Sequence, residues 1–411
     1  MSLGYSLYKV STRSYFKLIH LIAPFNKRAK ALMNGQKQSI TIEPKTSNET
    51  RLWLHVASLG EFEQAKPVLE LLKLEIPNLK ILTSFFSPSG YENRKNDPII
   101  DYAFYLPFER KKHINKTINM IDPDFVIWVK YDFWIDYLNA IQGRNIPIFL
   151  IAAQFNSKQY YFKYPGNFHL ATFKKFTKIF TQNQASTDLL KVHEIESICT
   201  GDPRYDNVYR IKNEKREIEF LRKFWNEKPV IVCGSTYLIE EQMIAKIRAK
   251  YQNKYQFIIA PHFIDSNHVD EILKNFPGAI KYSEIKNSKG DFISSDTIIV
   301  DNIGILAYLY QYAAIAIIGG GFKSGGLHNI LEAAVNEIPV LFGPKIERFP
   351  EAIALISNHI GFKFSNAEEL ENLILELTDQ RNHLIKENAK EFILKNLGAS
   401  QAICKTIQQY L

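Results

Sequence analysis

Residues 315–332 read Ile315-Ala316-Ile317-Ile318-Gly319-Gly320-Gly321-Phe322-Lys323-Ser324-Gly325-Gly326-Leu327-His328-Asn329-Ile330-Leu331-Glu332. A short unbroken apolar run is the mark of a strand buried on both faces, as in a parallel sheet. It passes into a connection carrying five glycines, then into a segment with helical spacing. Glycines in a strand-to-helix connection leave backbone N–H groups free to approach an anion, and the helix start adds its positive end. The stretch is not a Walker A loop, because no Gly-Lys-Ser/Thr follows at the required spacing. Nor is it GxGxxG, because Ser324 stands where the third glycine would be. Gly319, Gly320, Gly321 and Gly326 are therefore expected to bind phosphate. His328, Asn329 and Glu332 are expected to meet the same ligand, Glu332 one helical turn after His328 and facing a ribose. The plainer alternatives are a tight crossover for the glycines and a helix-surface pair for His328 and Glu332. A His-x-x-x-Glu metal pair lacks an evident third ligand, so no metal is expected.

Working outward, the same alternation fills the chain. Apolar strand candidates are Leu52–Val56, Lys80–Ser84, Phe125–Val129, Ile146–Ala152 and Lys178–Thr181, with a helix over Gly60–Leu74. A second series follows: Val230–Cys233, Phe257–Ala260, Thr297–Val300, Ile315–Ile318 and Pro339–Phe342. Buried strands alternating with helices predict an α/β protein with two doubly wound, Rossmann-like domains facing a cleft, ligands lying at the carboxyl ends of the strands. At 411 residues, two domains are also what length suggests. The expected layout is a basic arm over 1–42, a first domain over 43–206, a charged linker over 207–228, and a second domain over 229–411 that includes the C-terminal helices.

Three scattered cysteines, with no CxxC, argue for a reducing compartment and against disulfide or zinc scaffolds. The net charge is +8, and seven basic residues precede the first acid, Glu43. Tyr5, Tyr8, Tyr15, Phe16 and several Leu and Ile residues lie between those bases. His20 and Pro24 break the apolar run, so it does not span a bilayer. A basic, aromatic, amphipathic arm suits an anionic membrane surface. A helix packed on its own domain fits the same residues equally well.

Other motifs sit at strand ends. In His55-Val56-Ala57-Ser58-Leu59-Gly60-Glu61, Gly60 permits a tight turn or close ligand approach. Glu61 would stand at a strand's carboxyl end, where a general base could act. Ser58-x-x-Glu61 is also a capping box, the stronger reading on the local pattern alone. Gly234-Ser235-Thr236, followed by Glu240-Glu241, marks another strand end, facing a phosphate or capping a helix. Pro261-His262 and Lys130-Tyr131-Asp132-Phe133-Trp134 end further strands, where His262 could simply pack and Lys130 and Asp132 could be merely solvated.

Taken in order, these segments resemble the 3-deoxy-D-manno-oct-2-ulosonic acid (Kdo) transferases of lipopolysaccharide assembly, through most of the chain. Ser58-Leu59-Gly60-Glu61 matches the family's Ser-x-Gly-Glu. Gly234–Thr236 with Glu240-Glu241, and Gly325-Gly326 with His328-Asn329 and Glu332, match its second-domain motifs. Asp202-Pro203-Arg204-Tyr205-Asp206 resembles its pattern at the end of the first domain. Three places depart. Pro261-His262-Phe263 stands for Pro-Arg-His, Lys130 and Asp132 replace the acids of Glu-x-Glu-x-Trp-Pro, and AAQFNS at 152–157 replaces Asn-Ala-Arg-x-Ser. They indicate a divergent branch.

The resemblance implies a GT-B glycosyltransferase with Glu61 as general base. Ser58, Gly60, Lys130 and Asp132 would serve the acceptor. Gly234, Ser235, Thr236, Pro261, His262 and the 319–332 stretch would serve CMP-Kdo. It implies transfer of Kdo to a lipid A precursor at the cytoplasmic face of the inner membrane, with the membrane surface as partner and no cofactor beyond the donor substrate. The rival on the same fold is a transferase or epimerase using a UDP-sugar. A non-catalytic sugar or nucleotide binder and a nucleic-acid binder are the rivals from other classes, and no nucleic-acid motif supports the last.

Overall fold

The computed structural model describes residues 3–38, 40–214, 216–218, 221, 224, 227–287, 295–322, 326–379 and 383–411. Two compact units are present: residues 1–206 with 396–411, and residues 207–395.

The first unit carries seven parallel strands, β1 (Thr50–Val56), β2 (Leu79–Phe85), β3 (Tyr102–Tyr105), β4 (Phe125–Val129), β5 (Ile148–Ala153), β6 (Lys178–Thr181) and β7 (Ile198–Cys199). Their order is β3-β2-β1-β4-β5-β6-β7. Five helices matter below: α1 (Leu3–Ile22), α2 (Lys27–Lys37), α3 (Leu59–Glu75), α4 (Pro88–Arg94) and α5 (Lys111–Ile121). Alternate residues of β1 face opposite layers. Leu52, Leu54 and Val56 pack with Phe62, Val68 and Leu72 of α3, whereas Trp53 packs with Trp128 and Tyr137 on the other side.

The second unit repeats the plan with β8 (Val230–Thr236), β9 (Gln256–Pro261), β10 (Ile280–Lys281), β11 (Thr297–Ile299), β12 (Ile315–Ile318), β13 (Val340–Phe342) and β14 (Gly361–Lys363). Its order is β10-β11-β9-β8-β12-β13-β14, again all parallel. In each sheet the first strand is central and the chain winds outward from it in both directions. That winding creates a switch point beside β1 and β4, and another beside β8 and β12.

Three expected boundaries differ. The C-terminal helix Ala399–Gln408 belongs to the first unit, not the second. Its Ile403, Cys404 and Ile407 complete the apolar layer over β1, and Asp206 fixes its start by accepting from the Gly398 and Ser400 N–H groups at 2.7 Å each. The expected linker begins inside a helix, Pro203–Asn213; residues 215, 219–220, 222–223 and 225–226 of it lie outside the described residues. The basic arm is folded onto its domain, with Phe16, Ile19 and Leu32 in the core. Tyr8 donates to Glu109 Oε2 at 2.6 Å, and Tyr5 donates to Asp136. Leu3, Leu7, Val10, Leu18 and Leu21 of α1 nevertheless remain exposed, and Phe25 just after it is 91% exposed. Among the described residues no helix is long and apolar enough to cross a membrane.

Candidate active site

The first switch point brings Glu61 and Asp132 to neighbouring strand ends, Glu61 after β1 and Asp132 after β4. Ser58 caps α3, its Oγ accepting from the Glu61 N–H at 3.4 Å. The Glu61 carboxylate turns back, and Oε2 accepts from the Ala57 N–H at 2.5 Å. Ser58 thus caps the helix, while the Glu61 carboxylate stands at the end of β1. Burial pushes its pKa up to about 7; the Ala57 N–H opposes this, the Asp132 charge adds to it, and Lys130 holds it down. Gly60 has no positive φ, and a Cβ there would meet nothing within 4 Å, so the turn itself does not need it.

Asp132 is held in place. In register across the sheet, His55 lies beside Ser84 of β2 and Trp128 of β4. His55 Nδ1 is 2.9 Å from Ser84 Oγ, and Nε2 is 3.1 Å from Asp132 Oδ2. Ser84 Oγ accepts from Trp53 Nε1 at 2.9 Å, and Asp132 Oδ2 accepts from Trp134 Nε1 at 2.9 Å. With its oxygen already accepting from Trp53, Ser84 can give its own proton to Nδ1. In that tautomer His55 Nε2–H donates to Asp132 Oδ2. Lys130 occupies the left-handed region at φ 57°, which turns the chain sharply out of β4. His55 and Trp134 are the residues that motif reading passed over. The signal was present, since Trp53 and His55 are alternate residues of one strand face and both rings need polar partners.

In the second unit, Tyr237, His262 and His328 follow β8, β9 and β12 and form one ring cluster. The Tyr237 and His262 rings are 4.8 Å apart, those of His262 and His328 4.6 Å, and those of Tyr237 and His328 5.6 Å. Phe263 abuts the same group, and His328 Nε2 is 3.1 Å from the Tyr237 hydroxyl. Burial pushes His328 down to about 4, with His262 adding to it, and burial lowers His262 as well. Both imidazoles are therefore neutral at pH 7. Tyr237 carried no motif and was not anticipated, and Phe263 entered only as a departure from Pro-Arg-His.

The glycine stretch is built differently from the expectation. Its N–H groups are not all free: Gly319 donates to Gly234 O and Gly320 to Glu240 Oε1, each at 2.9 Å. A Cβ on Gly319 would lie 2.1 Å from Ser235 O, and one on Gly321 would lie 2.6 Å from the Gly343 backbone. Gly320 adopts φ +105°, and a Cβ on it would lie 2.2 Å from Gly326 O. Close backbone packing thus requires these glycines whether or not a ligand binds. The following helix is a single turn, Leu331–Ala334, and His328 lies before it. His328 and Glu332 accordingly do not share a helix face. Asn329 organises the turn instead, accepting from the Leu331 N–H at 3.2 Å and donating to Glu332 Oε1 at 2.9 Å. Lys323, Ser324 and Gly325 lie outside the described residues.

Gly234 and Thr236 are buried in β8, Gly234 under the Tyr310 hydroxyl and Thr236 donating to Glu241 Oε1 at 3.0 Å. Ser235, at φ 53°, bulges out between them. Pro261 is the buried last residue of β9. Glu240 and Glu241 are fully buried. Among the described residues no group of three or more His, Cys, Asp or Glu is placed to hold a metal ion.

Residues 26–207 match the family model described as 3-deoxy-D-manno-octulosonic-acid transferase (kdotransferase). The chain is 26% identical over 378 residues to the 3-deoxy-D-manno-octulosonic acid transferase of Haemophilus influenzae, covering 88% of this chain and 87% of that one. To the Aquifex aeolicus enzyme of the same name it is 27% identical over 346 residues, covering 83% and 90%. Among solved structures, the UDP-GlcNAc 2-epimerase of Neisseria meningitidis superposes with TM-score 0.60 at 16% identity, covering 88% of this chain and all of that one. That likeness speaks for the two-Rossmann fold. With a match over most of the first domain and alignments running through both, the chain is similar to the Kdo transferases along most of its length, which indicates a glycosyltransferase.

Proposed function

We propose that this protein transfers Kdo from CMP-Kdo to a lipid A precursor in lipopolysaccharide assembly, by a single inverting displacement. The observation that carries this reading is Glu61, held at the end of β1 with its pKa pushed up to about 7 by burial. A base with that affinity for a proton is matched to neutral pH. In the proposed step an acceptor hydroxyl oxygen forms a bond to the anomeric carbon of Kdo, and its proton passes to Glu61. The bond from that carbon to the CMP phosphate oxygen breaks, and CMP leaves with the electron pair. CMP is a competent leaving group, so one base suffices.

His55 and Trp134 hold the Asp132 side chain in place, and Asp132 in turn raises Glu61. Ser58, Gly60, Lys130 and Asp132 form the acceptor side. Open space at Gly60 leaves room for the acceptor's approach. On the donor side, the rings of Tyr237, His262 and His328 offer flat, neutral surfaces to a nucleoside, and Glu332 offers a carboxylate to ribose hydroxyls. Ser235 and Asn329 stand beside them, on a floor built by Gly234, Thr236, Pro261, Gly319, Gly320, Gly321 and Gly326. The base and the donor contacts named here are all protein side chains, and the proposal assigns no cofactor. The exposed apolar residues of α1, interleaved with its bases, support peripheral docking on the cytoplasmic face of the inner membrane.

A thermal-shift titration tests the donor assignment. A ligand that binds only the folded protein raises its melting temperature in proportion to the logarithm of its concentration over Kd. CMP should raise it at concentrations where UDP and UMP do not. A larger shift with UDP would move the protein to the UDP-sugar enzymes of the same fold.

A further inference from the structure

The first domain holds a cavity of ≈ 1000 Å³ walled by α1, α2 and the start of α5. Lys9, Arg13 and Lys17, spaced four residues apart on α1, all line it. Lys37 of α2 lines it too, as do Arg110 and Lys111 where α5 begins. Like charges four apart on one helix face repel each other, so this row is unfavourable unless something anionic answers it. Lys9 has an answer in Asp136 Oδ2 at 3.6 Å. Among the described residues, Arg13, Lys17, Lys37, Arg110 and Lys111 have no carboxylate within ion-pair distance.

The two acids in the wall are already occupied. Glu109 accepts from the Tyr8 hydroxyl at 2.6 Å and from the N–H of Asp136, and burial pushes its pKa up to about 7. Asp136 takes the Tyr5 hydroxyl and Lys9. The cavity is therefore cationic at neutral pH. Arg110 caps α5 without a side-chain bond, so the first N–H groups of that helix add to the same field. The apolar part of the lining is Phe16 stacked on Phe108 at 4.0 Å, with Leu21 and Met33, and Thr12, His20, Gln36 and His113 complete the wall. Beyond Leu21, α1 ends in exposed Ile22.

We propose that this cavity binds the phosphate monoester of an amphiphilic ligand, Arg13, Lys17 and Arg110 holding the phosphate while Phe16, Leu21 and Met33 cover its adjoining apolar part. A monoester carries close to two negative charges at pH 7 and offers three acceptor oxygens, which suits several converging cations better than a carboxylate does. The floor of rings and aliphatics distinguishes an amphiphile from free phosphate. The inference deepens the acceptor half of the function proposed above and rests on that reading for the biological occupant, a phosphorylated glycolipid.

Calorimetry on the full chain tests it with dodecyl phosphate below its micelle-forming concentration, and with inorganic phosphate and dodecyl maltoside as comparators. Dodecyl phosphate should bind about tenfold or more tightly than either comparator. Arg13→Gln/Lys17→Gln/Arg110→Gln should weaken it roughly tenfold or more, with CMP affinity and melting temperature kept. Arg13→Lys/Lys17→Arg/Arg110→Lys should stay within about threefold of the parent. If the triple glutamine variant unfolds, Arg110→Gln alone, at an exposed position, should weaken dodecyl phosphate in the same direction. Unchanged binding in the glutamine variants, or equal affinity of the parent for inorganic phosphate, would overturn the proposal. No turnover is read, so a failed transferase reading would show separately, as absent CMP binding with dodecyl phosphate binding intact.

Discussion

The Gly320 N–H donates to the buried carboxylate of Glu240 at 2.9 Å, so an acid sits directly beneath the glycine loop. Glu240 Oε2 also accepts from the Tyr237 N–H at 3.0 Å, closing a capping box on the helix Leu238–Tyr251. One side chain thus ties the loop after β12 to the residue after β8. It spaces the His328 and Tyr237 rings through the backbone that carries them. The loop is a structural clamp first, and under the proposed function the donor would meet the side chains it presents.

Gly320→Val should therefore act on stability before binding. The substitution forces a β-branched residue to φ +105° and places its Cβ on Gly326 O. Calorimetry should show a melting temperature lower by about 5 °C or more. A variant that melts like the parent but has lost CMP would instead assign the glycine to the ligand.

Tyr237→Ala removes a ring that touches His262, Phe263 and His328. CMP affinity should fall about tenfold or more, since ring stacking on a base is worth roughly 1–3 kcal/mol. Tyr237→Phe keeps the ring and loses only the 3.1 Å contact to His328, so its loss should be smaller. Titration calorimetry on both variants checks the order.

Much of this was legible in the sequence, and what was missed has physical causes. The ten predicted strands are the long or central ones; β3, β7, β10 and β14 were missed, and they are the four sheet edges. Edge strands are short and half-covered, so Ile198–Cys199 and Ile280–Lys281 carry no apolar run to notice. The position of Glu61 after β1 was legible because its motif follows a strong apolar strand. The glycine loop was legible as a loop but not in its hydrogen bonding, because Glu240 is 80 residues from Gly320. The same holds for the C-terminal helix, whose cap at Asp206 is 194 residues from Ser400. His55 is adjacent to a motif, yet its partners Ser84 and Asp132 come from two other strands' sequence.

The basic helix α1 should bind anionic vesicles in a salt-sensitive way. Each base near such a surface contributes about 1 kcal/mol at most, weakened by salt, while exposed Leu18, Leu21 and Phe25 supply a salt-resistant remainder. Co-sedimentation should fall with rising salt without vanishing. Changing Lys9, Arg13 and Lys17 to Glu should lower it further. Undiminished sedimentation of that variant would take these bases out of the membrane contact.

Stability should also report the Glu61 environment. The unfolded chain releases this proton near pH 4.5, whereas the folded protein holds it to about pH 7. Between those values the unfolded state binds fewer protons, so stability falls as pH rises through the window and levels off above it. Glu61→Gln has no such proton to lose. Its melting temperature relative to the parent should rise from pH 5 to pH 8, as thermal scans at each pH would show.

Turnover of Glu61→Gln against pH tests the central claim most directly. The parent's kcat/KM should rise with pH through about 7, as Glu61 loses its proton and becomes a base. The variant should bind CMP as the parent does, turn over about a hundredfold or more slowly, and lose that rise. Near-parental turnover in the variant, or the same acid limb in both proteins, would contradict the assignment of Glu61 as the base.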